Sequence, residues 1–180
     1  MNGILKGVKP LDCVLAAVLS AGGALMAVEN VLVGTGEAQL EIAHEVTSTS
    51  WWMLPAFLLM TVPILWRRRN ILAVTAVTAA ATAAHVLAFD WVTRCGVGLP
   101  LSFALAYAVG RFAGGRNHQI LGVAGVVLVQ FLVLVKDSST GGLGPILATI
   151  PLGLLFWGAG RLVASRTTGP RAAERELATA

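Results

Sequence analysis

Five polar residues in or beside long apolar stretches are the candidates for chemistry in this sequence: Glu29, Asn30, His85, Asp90 and Gln130. Polar groups inside a membrane are costly, so they mark functional sites by default. Counted from the basic ends of their stretches, these residues lie at a similar depth. If the helical faces converge, Glu29 and His85 form a buried pair that holds a proton or a small polar ligand, since imidazole exchanges protons near neutral pH.

A structural interpretation of the same residues stands beside this one. Glu29 is then a helix-end residue exposed to lipid headgroups, while His85 and Gln130 hydrogen-bond to neighbouring helices. Such interhelical bonds contribute only about 0.6–2 kcal/mol each. The sequence alone leaves both interpretations open.

Motifs typical of soluble catalytic sites are absent from the sequence. It contains no phosphate-binding glycine loop and no nucleophile elbow, and no predicted transmembrane helix has a pair of carboxylates on one face. The Cys and His residues have no metal-ligand spacing, and Cys13 and Cys95 lie too far apart across the predicted membrane for a disulfide. We therefore predict no catalytic residue, no metal and no cofactor.

The composition explains why these residues need a membrane interpretation. The chain has 180 residues, of which 56% are hydrophobic and 12% charged, with a mean hydropathy of +0.78. A soluble domain carries about 25% charged residues. A globule of this size has more surface than so few charged residues can cover. These values exclude an ordinary soluble enzyme, a disordered chain and a disulfide-rich scaffold, and they predict a multi-pass membrane protein.

Charges and turn-forming residues divide the chain into six apolar stretches, each near the roughly 17–25 residues that a membrane-spanning helix needs. We predict an all-α bundle of six transmembrane helices over residues 11–33, 51–66, 71–89, 96–112, 120–135 and 145–164. Residues 1–10 are predicted as a cytoplasmic N-terminus, and residues 165–180 as a polar cytoplasmic tail with a helix break at 168–170. In the largest outer loop, residues 34–50, the mixed pattern favours a short surface helix.

The Lys and Arg residues test the order of these spans. With both termini in the cytoplasm, 11 of the 13 basic residues fall on the inner side, and Arg94 and Lys136 fall on the outer side. This distribution follows the positive-inside rule. The net charge of +4 is then explained by topology and by contact with anionic lipids, not by nucleic-acid binding. The inner set includes the residues that bound the helices: Arg67, Arg68, Arg69, Arg111, Arg116 and Arg161.

Small residues predict which helices lie at the centre of the bundle. The third stretch is rich in alanine, and the fifth contains Gly122 and Gly125. Small residues let helices approach closely in lipid, where packing drives association. We therefore expect the third and fifth helices to be central, while Gly110 and Gly114 form a further pair of this type at a helix end.

Four segments of the chain resemble a known family. They are Leu11-Asp12 at the start of the first helix, Pro-Ile-Leu-Trp-Arg-Arg-Arg at 63–69, Ala-Tyr-Ala-Val-Gly-Arg at 106–111 and Gly-Arg-Leu-Val-Ala-Ser-Arg at 160–166. Together they resemble the N-terminal membrane region of actinobacterial two-component sensor histidine kinases, over nearly the whole chain. The resemblance implies a sensor or anchoring module of a bacterial plasma membrane. Its candidate partners are membrane lipids, a cytoplasmic signalling protein or kinase subunit, and a second copy of the chain.

The chain departs from that family in its catalytic part. In such kinases the last helix continues into a dimerising helix that carries the phosphoacceptor histidine, and an ATP-binding domain follows. No histidine follows His118 here, so neither kinase activity nor a catalytic residue is transferred. We expect a non-enzymatic module that has a polar site at its outer face and passes a conformational change to a cytoplasmic partner.

Two alternatives from other functional classes stay open. One is a small membrane enzyme that acts on a lipid or isoprenoid, with Glu29 or Asp90 as the acid. It requires carboxylates that converge in a lipid-sized cavity. The other is a small transporter or transporter subunit, which requires a water-filled path between the two faces.

Overall fold

The computed structural model describes residues 7–38 and 41–179, with side chains described as far as Thr167. Over these residues the chain is all-helical, as predicted, and contains no strand, although Val92 and Asp137 form an isolated bridge. The helices of this part are α1 (Pro10–Gly34), α2 (Met53–Thr61, continued as a 3₁₀ segment over Val62–Trp66), α3 (Ile71–Phe89), α4 (Cys95–Phe112), α5 (Arg116–Leu134) and α6 (Ile146–Thr179).

Among the described helices, five are long and apolar enough to cross a membrane. They are α1, α3, α4, α5 and the part of α6 from Ile146 to Thr167. The helical segment Met53–Trp66 is apolar but shorter. These lengths and compositions make the protein a multi-pass membrane protein.

Local sequence explains where two of the helices begin. Pro10 opens α1, and its fixed φ suits a first helical turn. The Asp12 side chain then accepts a hydrogen bond from the Lys9 amide (3.0 Å), one half of a capping box. Asn70 caps α3 by accepting from the Ala73 amide (3.1 Å).

The last helix is longer than the sequence predicted. The break expected at residues 168–170 is not present, and α6 continues to Thr179. Proline has a φ compatible with a helix and removes one N–H donor. In this helix the lost hydrogen bond does not end the helical path, so the prediction of a break was wrong.

The crossing of α4 and α6 places two glycines against the backbone of the facing helix. A Cβ at Gly110 would collide with the carbonyl oxygen of Trp157, and a Cβ at Gly160 would collide with that of Tyr107. The two backbones therefore touch directly. The two helices expected at the centre, α3 and α5, contact each other, but α4 packs against α1, α3, α5 and α6. The centre of the bundle thus includes a helix that the sequence did not single out.

The loop between α1 and α2 is not the surface helix that the sequence predicted, because its described residues 41–50 are irregular. The Thr47 amide donates to the Trp91 carbonyl oxygen (2.9 Å), and the His44 amide donates to that of Ser138 (3.0 Å). The His44 ring also stacks on Trp91, with centroids 3.9 Å apart. Hydrogen bonds to neighbouring loops replace helical ones. We call the end formed by the loop segments 35–38, 41–52, 90–94 and 135–145 the loop end.

Candidate functional site

A buried arginine lies at the centre of the loop end. Arg94 immediately precedes α4, and it is fully buried. Its guanidinium donates to the carbonyl oxygens of Lys136 (2.6 Å) and Asp90 and to Nδ1 of His85 (3.0 Å). Burial lowers the pKa of Arg94 to about 10, while the carboxylates of Asp137 and Asp90 act in the opposite direction. The guanidinium is therefore charged at neutral pH.

Asp137 supplies a compensating negative charge from the loop between α5 and α6. Its buried carboxylate accepts from the backbone amides of Arg94 (2.6 Å) and Cys95 (2.7 Å) and from the Ser139 hydroxyl (2.6 Å). These amides belong to the start of α4, where the helix dipole favours an anion. A buried charge is tolerated only when it is paired and hydrogen-bonded. Asp137 thus fixes the start of α4 and, with it, the position of Arg94.

His85 joins this network from α3. Its ring is buried between Phe57 and Phe89, with centroid distances of 4.5 and 4.8 Å. Because the Nε–H of Arg94 can only donate, Nδ1 of His85 is the acceptor, and the neutral ring carries its hydrogen on Nε2. Among the described residues, this buried Nε2 has no hydrogen-bond partner. His85 therefore has one unused donor to offer a ligand.

A groove of about 340 Å³ lies beside His85, between α2 and α3. His85 lines it together with apolar side chains that include Trp52, Leu59 and Phe89. Leaving a buried donor without an acceptor costs about 1–3 kcal/mol. Nε2 itself is buried, so a ligand with an apolar body and a hydrogen-bond acceptor reaches it, and recovers that cost, only when a side chain that lines the groove moves aside.

Asn30, which the sequence placed in the candidate site, ties α1 to the same loop end. Its buried side chain accepts from the Thr93 amide (2.7 Å) and donates to the carbonyl oxygens of Thr93 (2.9 Å) and Met26 (2.7 Å). Thr93, which forms two of these hydrogen bonds, immediately precedes Arg94. Asn30 therefore positions the network, and all of its donors and its acceptor are already used.

The predicted pair of Glu29 and His85 is not formed. The Glu29 side chain is half-buried and forms no hydrogen bond or ion pair with another described residue, while His85 pairs with Arg94 instead. Asp90 lies at the surface, where its carboxylate pairs with the ammonium group of Lys136. The two acids on which the enzyme alternative depends are therefore not held in a common site by any described contact.

Gln130 belongs to a separate set of contacts. Its buried side chain donates to the Thr149 carbonyl oxygen (3.1 Å) and to the Ser102 hydroxyl (3.3 Å). These bonds join α5 to α6 and to α4. The structure thus fits the interpretation of Gln130 as an interhelical hydrogen-bond former and does not bring it to His85.

The opposite end of the bundle contains a second buried carboxylate. Asp12 is fully buried, and its oxygens lie 2.7 Å from Arg67 Nη2 and 2.7 Å from Arg68 Nε. From the sequence, we predicted only that these two arginines set the membrane topology. In the structure they also tie the connection between α2 and α3 to the start of α1. We call this end, with the loops 67–70 and 113–115, the arginine end.

Arg94, Asp137 and Asp12 were not among the predicted site residues, although the sequence contained a signal for two of them. Arg94 is one of the two basic residues that fall on the predicted outer side, and Asp12 is an acid on the predicted inner side. Arg94 is an exception to the positive-inside rule, which concerns Lys and Arg, whereas Asp12 lies among the basic residues of the inner side. A charge surrounded by the opposite sign in this way is a candidate for a buried pair.

No protein-family model, no curated protein and no solved structure matches this chain. The functional inference therefore rests on the geometry of the two ends of the bundle.

Proposed function

We propose that the chain is a non-enzymatic sensor or anchoring module of a bacterial plasma membrane, with six spans and both termini in the cytoplasm. The charge asymmetry of the loops supports this orientation. The segment Met53–Trp66 is about 23 Å long at the usual rise of α- and 3₁₀-helices. A thinned bilayer accommodates a span of that length, and Trp51, Trp52 and the arginines from Arg67 onward anchor its two ends.

The observation that carries the proposal is the unused Nε2 donor of His85 beside the groove between α2 and α3. Through Arg94 the same ring contacts the loops that follow α3 and α5. A ligand acceptor at Nε2 therefore acts on a network that spans three helices. The ligand class is an amphiphile or small molecule with an apolar body and a hydrogen-bond acceptor.

The signal is passed to the cytoplasm by α6. Its backbone touches α4 at Gly110 and Gly160, and α4 begins at Cys95, directly after Arg94 in the loop end. Beyond this crossing α6 continues to Thr179. Its output partner is a cytoplasmic signalling protein or kinase subunit, as the resemblance to kinase sensor regions implies, and a second copy of the chain completes the module. Coupling requires two states that the ligand binds unequally.

Hydrogen exchange of α6 tests this coupling in the intact protein in lipid nanodiscs. His85→Gln replaces the rigid ring, whose Nδ1 accepts from Arg94, by a flexible amide and so perturbs the loop end. We therefore expect it to change amide exchange over residues 161–179. The control His118→Gln makes the same replacement at an exposed position and should leave that exchange unchanged. If His85→Gln changes exchange only at the loop end, signal transmission through α6 is refuted.

Cysteine labelling tests the orientation separately. Starting from Cys13→Ser/Cys95→Ser, we expect a cysteine introduced as Thr35→Cys to react with a membrane-impermeant maleimide from outside intact cells. A cysteine introduced as Arg166→Cys should react only after permeabilisation, because it lies on the opposite side of the proposed membrane. Labelling of both positions from outside would contradict the even number of spans with cytoplasmic termini.

A further inference from the structure

A second groove, independent of the sensor site, lies at the arginine end between α5 and α6. Its volume is about 760 Å³, within the range of about 300–1,000 Å³ that is usual for ligand pockets. Ile120, Val123 and Leu154 line its apolar part, and Arg116 and Arg161 line its polar part. The groove thus combines a hydrocarbon-like wall with two cations.

A side-chain bridge holds the two helices at this groove. Gln119 is buried, and its carbonyl oxygen accepts from the Trp157 indole N–H (2.7 Å). Its amide nitrogen donates to the carbonyl oxygen of Ala113 (2.6 Å), just before α5. Both Gln119 and Trp157 line the groove. The groove is therefore built by a specific contact between α5 and α6.

The described residues that line the groove do not neutralise its positive charge. Arg116 and Arg161 are exposed, and no carboxylate is among the described residues that line the groove. Two like charges in one groove repel each other, and the start of α5 at Arg116 adds the positive end of a helix dipole. An anion between the two arginines removes the repulsion and satisfies their donors.

We propose that this groove binds one anionic phospholipid. The phosphate of the headgroup lies between Arg116 and Arg161, and one acyl chain lies along the wall formed by Ile120 and Leu154. The apolar wall belongs to membrane-spanning helices, Arg116 is the first residue of α5 and Arg161 lies on α6. The groove thus spans the depth of a lipid from headgroup to chain. This arrangement fits a lipid better than a free anion, which would leave the apolar wall uncovered.

Quenching of Trp157 fluorescence by brominated lipids tests the proposal. The intact protein is placed in bilayers with brominated phosphatidylglycerol or brominated phosphatidylcholine, and the Trp157→Phe variant defines the signal from the other tryptophans. For two arginines near an anionic headgroup, we expect roughly a thirtyfold preference of the Trp157 component for phosphatidylglycerol. Equal quenching by the two lipids, or quenching by neither, would overturn the proposal; the second result would mean that another protein surface covers the groove.

A matched pair of variants assigns the preference to the groove. The double variant Arg116→Gln/Arg161→Gln should bring the preference close to one. The control Arg166→Gln removes an exposed arginine from the same helix, outside the groove lining, and should keep the preference. If both variants lower it equally, general surface charge explains the effect and the site is refuted. Circular dichroism of each variant confirms that the helices are retained.

Discussion

Alanine at Gly160 should destabilise the bundle, whereas alanine at Gly158, two residues earlier in the same helix, should stabilise it. A Cβ at Gly160 would collide with the backbone carbonyl oxygen of Tyr107 in α4, while a Cβ at Gly158 meets no described atom within 4 Å. A backbone oxygen cannot move aside as a flexible side chain can. The two helices must therefore separate in the Gly160→Ala variant.

The magnitude follows from two opposing terms. Each replacement raises helix propensity by about 1 kcal/mol. Overpacking costs about 1–3 kcal/mol, and this cost applies to Gly160→Ala alone. We therefore expect Gly158→Ala to raise the free energy of unfolding by about 1 kcal/mol. The difference between the two variants in the free energy of unfolding is the overpacking cost alone, about 1–3 kcal/mol. We expect a value in the upper half of this range, because the contact involves two backbones.

Reversible unfolding in mixed micelles, followed by circular dichroism as the fraction of denaturing detergent rises, measures these values. The reciprocal variant Gly110→Ala meets the Trp157 carbonyl oxygen and should resemble Gly160→Ala. The double variant Gly110→Ala/Gly160→Ala should cost less than the sum, because one alanine already separates the helices. Equal stability of Gly158→Ala and Gly160→Ala, within about 0.5 kcal/mol, would refute the direct contact of the two backbones.

The same unfolding assay checks two further predictions. Asp12→Asn should lower the free energy of unfolding by about 2–3 kcal/mol, since two arginines that are only 12% and 22% exposed lose their anion. The exposed control Glu45→Gln should change this free energy by less than about 0.5 kcal/mol. Equal effects of the two substitutions would contradict the buried cluster of Asp12, Arg67 and Arg68. Asp137→Asn should cost about 3 kcal/mol because it leaves a buried guanidinium uncompensated. Lys136→Met breaks an exposed ion pair and should cost less than about 1 kcal/mol, so a Lys136→Met effect as large as that of Asp137→Asn would refute this ranking.

The fold class was predictable because the cost of exposing polar backbone to lipid leaves few solutions. Apolar stretches of sufficient length must become helices in a membrane, so hydropathy alone indicated an all-helical chain. The irregular loop at residues 41–50 was not predictable in this way. Its backbone hydrogen bonds go to Trp91 and Ser138, which lie far away in the sequence, and a local pattern contains no information about such partners.

The candidate site was predictable only in part. His85 and Asn30 were selected because polar residues in apolar stretches are costly, and both are buried and hydrogen-bonded. Their partners were not predicted, because depth along a helix does not determine which face it turns toward a neighbour. His85 meets Arg94 rather than Glu29 for this reason.

The membrane class, the helical architecture and the charge asymmetry of the loops follow from composition and from the order of residues along the chain. Three contacts became known only from the packed helices: Arg94 is buried against His85, Asp12 lies between Arg67 and Arg68, and α4 and α6 touch at two glycines. Each of these contacts depends on the rotation and separation of helices. Packing of small residues and pairing of buried charges, rather than hydropathy, set those quantities in lipid.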